Sequence, residues 1–372
     1  MLQCKTCLLA LIILIVAAAW IGCGAKDVPE GTVVTVLYTN DVRGKLEGCG
    51  CRHNGGGITK RSAEVAAARS EDPSVVYCDA GNFLTGTPEV DSTKGFLSIE
   101  VYNHLRATVV NVSERELAFG TDAFKEAKRR ADFAFVSANL RHRGGAIADP
   151  YVIRRVKEAR VAFVGLCGTK NIMRYDSLKL PEEVTIEEPL VAARRVVSEL
   201  EGKAHLIVVL STCGDAMDSA LARAIPQINL IVGGRSFRNN ADAPWDVGGT
   251  RIVRTMRDGR TIGRMDMVFG AIPPFKVGDK MKLEEGMFRG MMAEVRRMTQ
   301  EKGVVKATMY LPDRGIEIAL DYPLLRGIKT FHSTEISMEA TGRSDPEMLA
   351  LVRERVPGFV DNPTDGVRVV RQ

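Results

Sequence analysis

One-sided charge is scarce in this sequence. Lysine and arginine number 51 against 46 aspartates and glutamates, a formal excess of +5 over 372 residues. No basic stripe interleaves with aromatics, so nucleic acid is excluded as a partner. Internal repeats and low-complexity segments are missing, which excludes a solenoid and argues against a disordered chain. Histidines number only five, and four of them (His104, His142, His205 and His332) stand in no ligand pattern. No long hydrophobic run is present either: the apolar stretch from Leu8 to Ile21 falls short of the roughly 17–25 residues of a membrane span. What is there is ordinary for a globular chain, with 45% apolar and 26% charged residues. That suffices for one large α/β domain, or for a medium domain with an appendage.

The apolar stretch fits the h-region of an export signal, with Lys5 ahead of it. It ends in "AWIGCGAKD", where a small residue precedes Cys23 and Gly24 follows. That is similar to a bacterial lipoprotein cleavage box, although Trp20 stands where leucine is usual. The expectation is a signal peptide over 1–22, acylation at Cys23 and a polar leash over 23–32. The mature chain is then lipid-anchored at the periplasmic face of the cell envelope. Secretion without lipid and a retained anchor helix stay open. Of eight cysteines, Cys4 and Cys7 leave with the signal and Cys23 carries lipid. Cys49, Cys51, Cys78, Cys167 and Cys213 remain. An odd number cannot all pair, so at least one is free, metal-bound or intermolecular.

Beyond residue 32, β-rich apolar runs alternate with helical patterns. "TVVTVLYT", "SVVYCDAG", "ATVVNVS", "FAFVSANL", "HLIVVLST" and "INLIVGG" read as strands. "GGITKRSAEVAAARS", "GTDAFKEAKRRA" and "GDAMDSALARAIP" read as helices. "YVIRRVKEARVAFVGLCG" reads as a hairpin turning at "KEAR". "TRIVRTMRDGRTIGRMDMVF" reads as a second hairpin, around Asp258-Gly259. This alternation predicts an α/β domain, and the hairpins predict mixed sheets, one or two stacked, flanked by helices. Past "AIPPFKVGDK" the pattern shifts. Residues 283–303 read as a helix with a methionine-rich core or docking face. Two short β runs follow, and then a helix with Ser344 at its N-cap. Domains are therefore expected at 33–270 and 271–372, the second a small α+β appendage. Cys78, in mid-strand, reads as core.

The motif order from Val33 to Phe269 resembles the calcineurin-like metallophosphoesterase family, in its bacterial 5′-nucleotidase branch. "LYTNDVRG" looks like that family's "TNDxHG" block, "DAGNFLTGT" like "DAGDxxxGT", and "VNVSERELAFG" like "GNHExDxG". "VSANL" and "VAFVGLCG" fall at its next strands. "LSTCG" looks like "LSHxG", and "INLIVGGRSF" like "DxIxGGHSH". The resemblance implies a sandwich of two mixed sheets and, in the family, two divalent metals that clamp a phosphoryl group and activate water. Carried across position by position, Asp41 is kept. Arg43 replaces a histidine, Asn82 the bridging aspartate, Glu114 the ligand asparagine and Arg115 the catalytic histidine. Glu116 keeps the neighbouring acid. Thr212, Arg235 and Phe237 each stand where a histidine belongs. A neutral Asn82 leaves the repulsion between two dications uncompensated, and Arg43 and Arg235 put permanent positive charge where metals would sit. The expectation is a chain without the dimetal centre.

Two alternatives for the emptied site stay open beside plain internal ion pairing. Arg43, Arg115 and Arg235 are candidates for binding a small anion or phosphate-containing ligand. Cys49, Cys51, His53, Cys167 and Cys213 are candidates for thiol redox chemistry, or for a single soft metal (Zn, Cu or Fe) at Cys49/Cys51. A structural disulfide joining Cys49 or Cys51 to Cys213 is the simpler reading of the same cysteines. A branch of 5′-nucleotidase-like lipoproteins that the chain resembles carries a "GCGC…GG" block here. The runner-up function is a phosphoester or nucleotide hydrolase with a rebuilt Mn, Zn or Fe site using Asp41, Glu114 and Glu116, with His53 or cysteines as further ligands. A third is a structural envelope protein that docks a protein partner.

Overall fold

The computed structural model describes residues 28–29, 31–49, 55–169, 180–236, 245–269, 277–283, 288, 290–301, 304–323, 328–337 and 344–361. Four parallel strands open it: β1 (Val33–Thr39), β2 (Val76–Asp79), β3 (Val109–Asn111) and β4 (Ala134–Val136), lying side by side in that order. Between them the chain returns through α1 (Ile58–Glu71), α2 (Pro88–Ser92), α3 (Phe96–His104) and α4 (Gly120–Arg130). In α4 the reason is local. Thr121, Phe124 and Ala127 recur at helical spacing and are buried, and Lys128, Arg129 and Arg130 complement the helix dipole in the last turn.

Next come β5 (Leu140–His142) and β6 (Gly145–Ala146), then the hairpin of β7 (Tyr151–Val156) and β8 (Ala159–Cys167). β9 (Val184–Ile186) returns to pair with β5. After α5 (Pro189–Glu199), β10 (Leu206–Thr212), α6 (Asp215–Ala224) and β11 (Leu230–Gly233) complete a second parallel run with β8. β12 (Trp245–Val247) and β13 (Thr250–Val253) extend that sheet. β14 (Thr261–Phe269) then crosses to the first sheet, antiparallel to β1. The result is two mixed six-stranded sheets.

Val34, Val36, Tyr38, Val76 and Cys78 of the first sheet bury themselves against Val161, Phe163, Leu206, Val208 and Leu210 of the second. Helices cover the outer faces, so the architecture is a four-layer αββα sandwich. β8 and β10 are buried on both faces, which is why they read as unbroken apolar runs. At one end the sheets almost touch. A Cβ on Gly165 would lie 2.3 Å from the Val136 carbonyl oxygen. The Asn111 amide bridges the sheets there, donating to the carbonyls of Ala80 (2.9 Å) and Leu166 (3.0 Å). This pins the carboxyl ends of both sets of strands around one site.

Several expectations give way. β13 and β14 do not form a hairpin: they belong to different sheets, and the Asp258-Gly259 turn, both residues at positive φ, carries the chain between them. Residues 292–301 of the expected methionine-rich helix form β16 (Met292–Glu301), which pairs with β15 (Lys280–Lys282) and β17 (Val304–Leu311), with β18 (Ile316–Pro323) beyond. The decisive period is two: Ala293 and Val295 are buried while Met292, Glu294 and Arg296 turn outward. β19 (Ile328–Ser337) rejoins the first sheet beside β14, and α7 (Pro346–Arg355) packs on α1 and α3. Residues 328–337 and 344–361 thus pack with the sandwich rather than in the expected appendage. The N-cap of α7 is Asp345 rather than Ser344. Pro346 takes the first helical position, and the Asp345 carboxylate accepts from the amides of Glu347 and Met348.

Candidate functional site

The loops after β1, β2, β3, β8, β10 and β11 meet at this end of the sandwich. Nine described non-glycine residues have positive φ, and five are here: Asp41, Arg43, Asn82, Arg235 and Asp258. Such conformations cost of order 1–3 kcal/mol each and persist where surroundings over-determine them. The loops therefore keep a shape that their present side chains would not choose on their own.

Beneath the surface the matching positions hold one another. The Asp41 carboxylate accepts from the side-chain amide of Asn82 (2.5 Å), the backbone amide of Arg235 (2.7 Å) and the side chain of Asn40 (3.2 Å). The Asn82 side-chain oxygen accepts from the Ser113 hydroxyl (2.8 Å). Arg235 is 4% exposed and Glu114 7%. The Arg235 guanidinium grips both carboxylate oxygens of Glu114, one at 3.1 Å and the other at closer range. Glu116 is a structural knot. It accepts from the amides of Ser113 (2.8 Å) and Phe83 (2.9 Å) and closes a capping box with Ser113. Burial pushes its carboxyl above the usual range. Thr212, fully buried, donates to the Leu166 carbonyl at 3.4 Å.

Cys167 ends β8, Cys213 directly follows the adjacent β10, and both are free buried thiols. Burial raises both well above the ordinary thiol range, and Glu114 adds to it at Cys167, whose Sγ lies 3.5 Å from that carboxylate. Burial thus favours the protonated thiol at both positions. A disulfide to Cys213 is thereby overturned. Cys49 is disulfide-bonded, and its partner is not Cys78, Cys167 or Cys213. As half of a disulfide Cys49 offers no thiolate to a metal. Cys78 is plain core, as expected. Cys23, Cys51, His53 and Phe237 lie outside the described residues.

Above this buried network opens a cleft of about 510 Å³, lined by Arg43, Lys45, Cys49, Gly86, Thr87, Arg115, Asp258 and Arg260. Arg43 and Arg115 meet there as expected. Arg235 does not, because Glu114 holds it in the interior. The Arg43 guanidinium donates twice to one Asp258 oxygen, at 2.9 and 2.6 Å. Gly86 lets its loop lie against the first one: a Cβ there would sit 2.6 Å from the Arg43 carbonyl oxygen. Lys45, Thr87, Asp258 and Arg260 escaped the sequence reading. Only the Asp258-Gly259 turn signal pointed near them, and it gave no hint of which loops it would face.

No family model matches the chain. Over 248 residues it is 25% identical to the snake venom 5′-nucleotidase of Crotalus adamanteus, covering 60% of this chain and 40% of that protein. Among solved structures, the 5′-nucleotidase precursor of Thermus thermophilus superposes with a TM-score of 0.63 at 19% identity, over 87% of this chain and 58% of that one. The calcineurin-like phosphoesterase YfkN of Bacillus subtilis does so with a TM-score of 0.60 at 16% identity, over 88% and 97%. The αββα sandwich, with loops converging at its strand ends, is the calcineurin-like phosphoesterase fold. The chain thus shares the fold of the calcineurin-like phosphoesterase superfamily and is similar in sequence, at 25% identity, to 5′-nucleotidases. It spans well under half the length of the 5′-nucleotidases it matches in sequence.

The residues present do not fit the two divalent cations that the superfamily implies. Asp41 and Glu114 are the carboxylates left at the matching positions. One is spent on Asn82 and the Arg235 amide, the other on the Arg235 guanidinium. A fixed guanidinium charge occupies the interior where cation charge would have to accumulate, and the Asn82 amide points a donor, not a lone pair, at Asp41.

Proposed function

We propose that this chain is an exported, lipid-anchored member of the superfamily that binds a small anion in its cleft and does not hydrolyse phosphoesters. The observation that carries the proposal is the pairing of a buried Arg235–Glu114 ion pair with a cleft above it lined by Arg43, Lys45, Arg115 and Arg260. A guanidinium has taken over the charge-balancing part of a metal, and the surface has become an anion receptor. Calorimetric titration with inorganic phosphate tests it. Binding is expected, weakened roughly tenfold or more by Arg115→Ala. Mn²⁺-dependent hydrolysis of a nucleoside monophosphate would restore the hydrolase built on Asp41, Glu114 and Glu116. Anchoring is tested separately: Cys23→Ser moves the mature protein from the membrane fraction to the soluble one.

A second reading rests on Cys49. Its disulfide borders the cationic cleft, and its Sγ accepts from the Gly55 amide at 3.2 Å. Attack of an external thiolate on the partner sulfur would form a mixed disulfide there and release Cys49 as a thiolate stabilised by that N–H and by the nearby cations. Mass analysis after mild thiol treatment decides it: an unreactive Cys49 makes the bridge purely structural.

A further inference from the structure

The four cations of the cleft come from three separate segments. Arg43 and Lys45 follow β1, Arg115 lies in the short 3₁₀ turn after β3 (Glu114–Leu117), and Arg260 closes the turn between β13 and β14. Asp258 is the one carboxylate among the described lining residues, and Arg43 engages it. Four cations against one carboxylate give the lining a net positive charge, spread over three sides of the same space. A single tetrahedral oxyanion can touch one side or two. A cavity of about 510 Å³ is of small-molecule size and leaves room for more.

The rest of the lining is as informative. Among the described residues it consists of Gly86, Thr87 and Cys49, with no aromatic ring and no large apolar side chain. A nucleobase is bound by stacking on an aromatic face, worth about 1–3 kcal/mol per base, and by burial of its apolar surface. These walls provide neither. They provide long cationic side chains and hydrogen-bond donors.

We infer that the ligand of this cleft is a compact, non-aromatic polyanion with at least two adjoining phosphate-like groups, and not a nucleotide. The inference rests on the anion-binding reading above. Arg115 and Arg260 hold the two ends of the ligand, Lys45 adds a point charge between them, and Asp258 keeps the Arg43 fork turned into the cleft. Because the contacts are charge on charge at a partly open surface, affinity falls steeply with salt.

The experiment is calorimetric titration of the full mature protein, in chelator-containing buffer at low and at physiological salt, with pyrophosphate, tripolyphosphate, adenosine monophosphate and adenosine as probes. Pyrophosphate or tripolyphosphate is expected to bind at least tenfold more tightly than adenosine monophosphate, and adenosine not at all. Charge reversal at the exposed Arg260, Arg260→Glu, should cost the polyanion at least tenfold while leaving the thermal transition unchanged. Arg115→Gln should act the same way. Adenosine monophosphate binding as tightly as pyrophosphate would overturn the inference and leave the anion-binding reading standing. Equal binding of both polyanions by native protein and Arg260→Glu would overturn the assignment of the cleft. Failure of every anion to bind would overturn both.

Discussion

Asp41, Asn82, Glu114 and Arg235 hold one another in the interior, and their coupling can be measured. Removing one partner of the Arg235–Glu114 pair strands a charge in the interior. Glu114→Gln should therefore cost about 3–5 kcal/mol in urea unfolding, while Glu114→Leu combined with Arg235→Met, which removes both charges, should cost far less. A simple sum of the two single losses in the double variant would mean that the pair is not coupled. Asn82 offers the complementary test. Asn82→Asp restores a carboxylate within 2.5 Å of Asp41, so like-charge repulsion should lower stability at neutral pH. Millimolar Mn²⁺ should not rescue it while Arg235 and Arg43 remain. Rescue by Mn²⁺ would show that one substitution re-forms a metal site. These replacements were legible from the sequence because each departs from a fixed motif. Their partners were not. That Arg235 turns inward to Glu114 while Arg43 turns outward to Asp258 depends on loop conformations at positive φ that no spacing encodes.

Among the elements, β2 carries a buried carboxylate with a measurable consequence. Asp79 accepts from Thr39, Tyr102 and the Gly81 amide, and burial raises it to about 6 despite those bonds. The folded state thus holds a proton more tightly than the unfolded chain, whose value is near 3.8. The sign follows: stability falls as pH rises from about 4 to about 6 and stays lower above. Asp218 in α6, also raised to about 6 by burial, adds to the same window. Asp79→Asn should flatten this fall when unfolding free energies at pH 4.5 and 7 are compared. An unchanged slope would remove Asp79 as its source. At α7, the Asp345 carboxylate caps the helix and also bonds Ser62 (2.5 Å) and His104 (3.1 Å). Asp345→Ala should cost about 2 kcal/mol and raise amide exchange across α7 before it does so in the sheets. The sandwich was readable where unbroken apolar runs such as β8 and β10, or helically spaced apolar residues as in α4, stand between turn signals. Within the region after 271, residues 292–301 were misread because their methionines mimic a helical stripe, whereas β17, β18 and α7 stand where expected. The alternation of Ala293 and Val295 with polar neighbours is short, and it gains meaning only once β17 lies beside it.

At the scale of the whole molecule, the sandwich and its function separate cleanly. The inter-sheet core, the close approach at Gly165 and the bridging Asn111 hold the strand-end loops in place. A cleft can then change its chemistry without loss of fold. Five motif blocks and two strands in the right order were enough to read the architecture. The cleft was half legible, through Arg43 and Arg115, because its other walls come from turns that carry no motif. The most direct test of the central claim is metal content by mass spectrometry on the mature, tag-free protein, after exposure to Mn, Zn and Fe and removal of loosely bound ions. The expected result is far less than one ion per chain, with phosphate binding intact. About two ions per chain, the stoichiometry of a dimetal clamp, would contradict the account and return the site to metal-assisted hydrolysis.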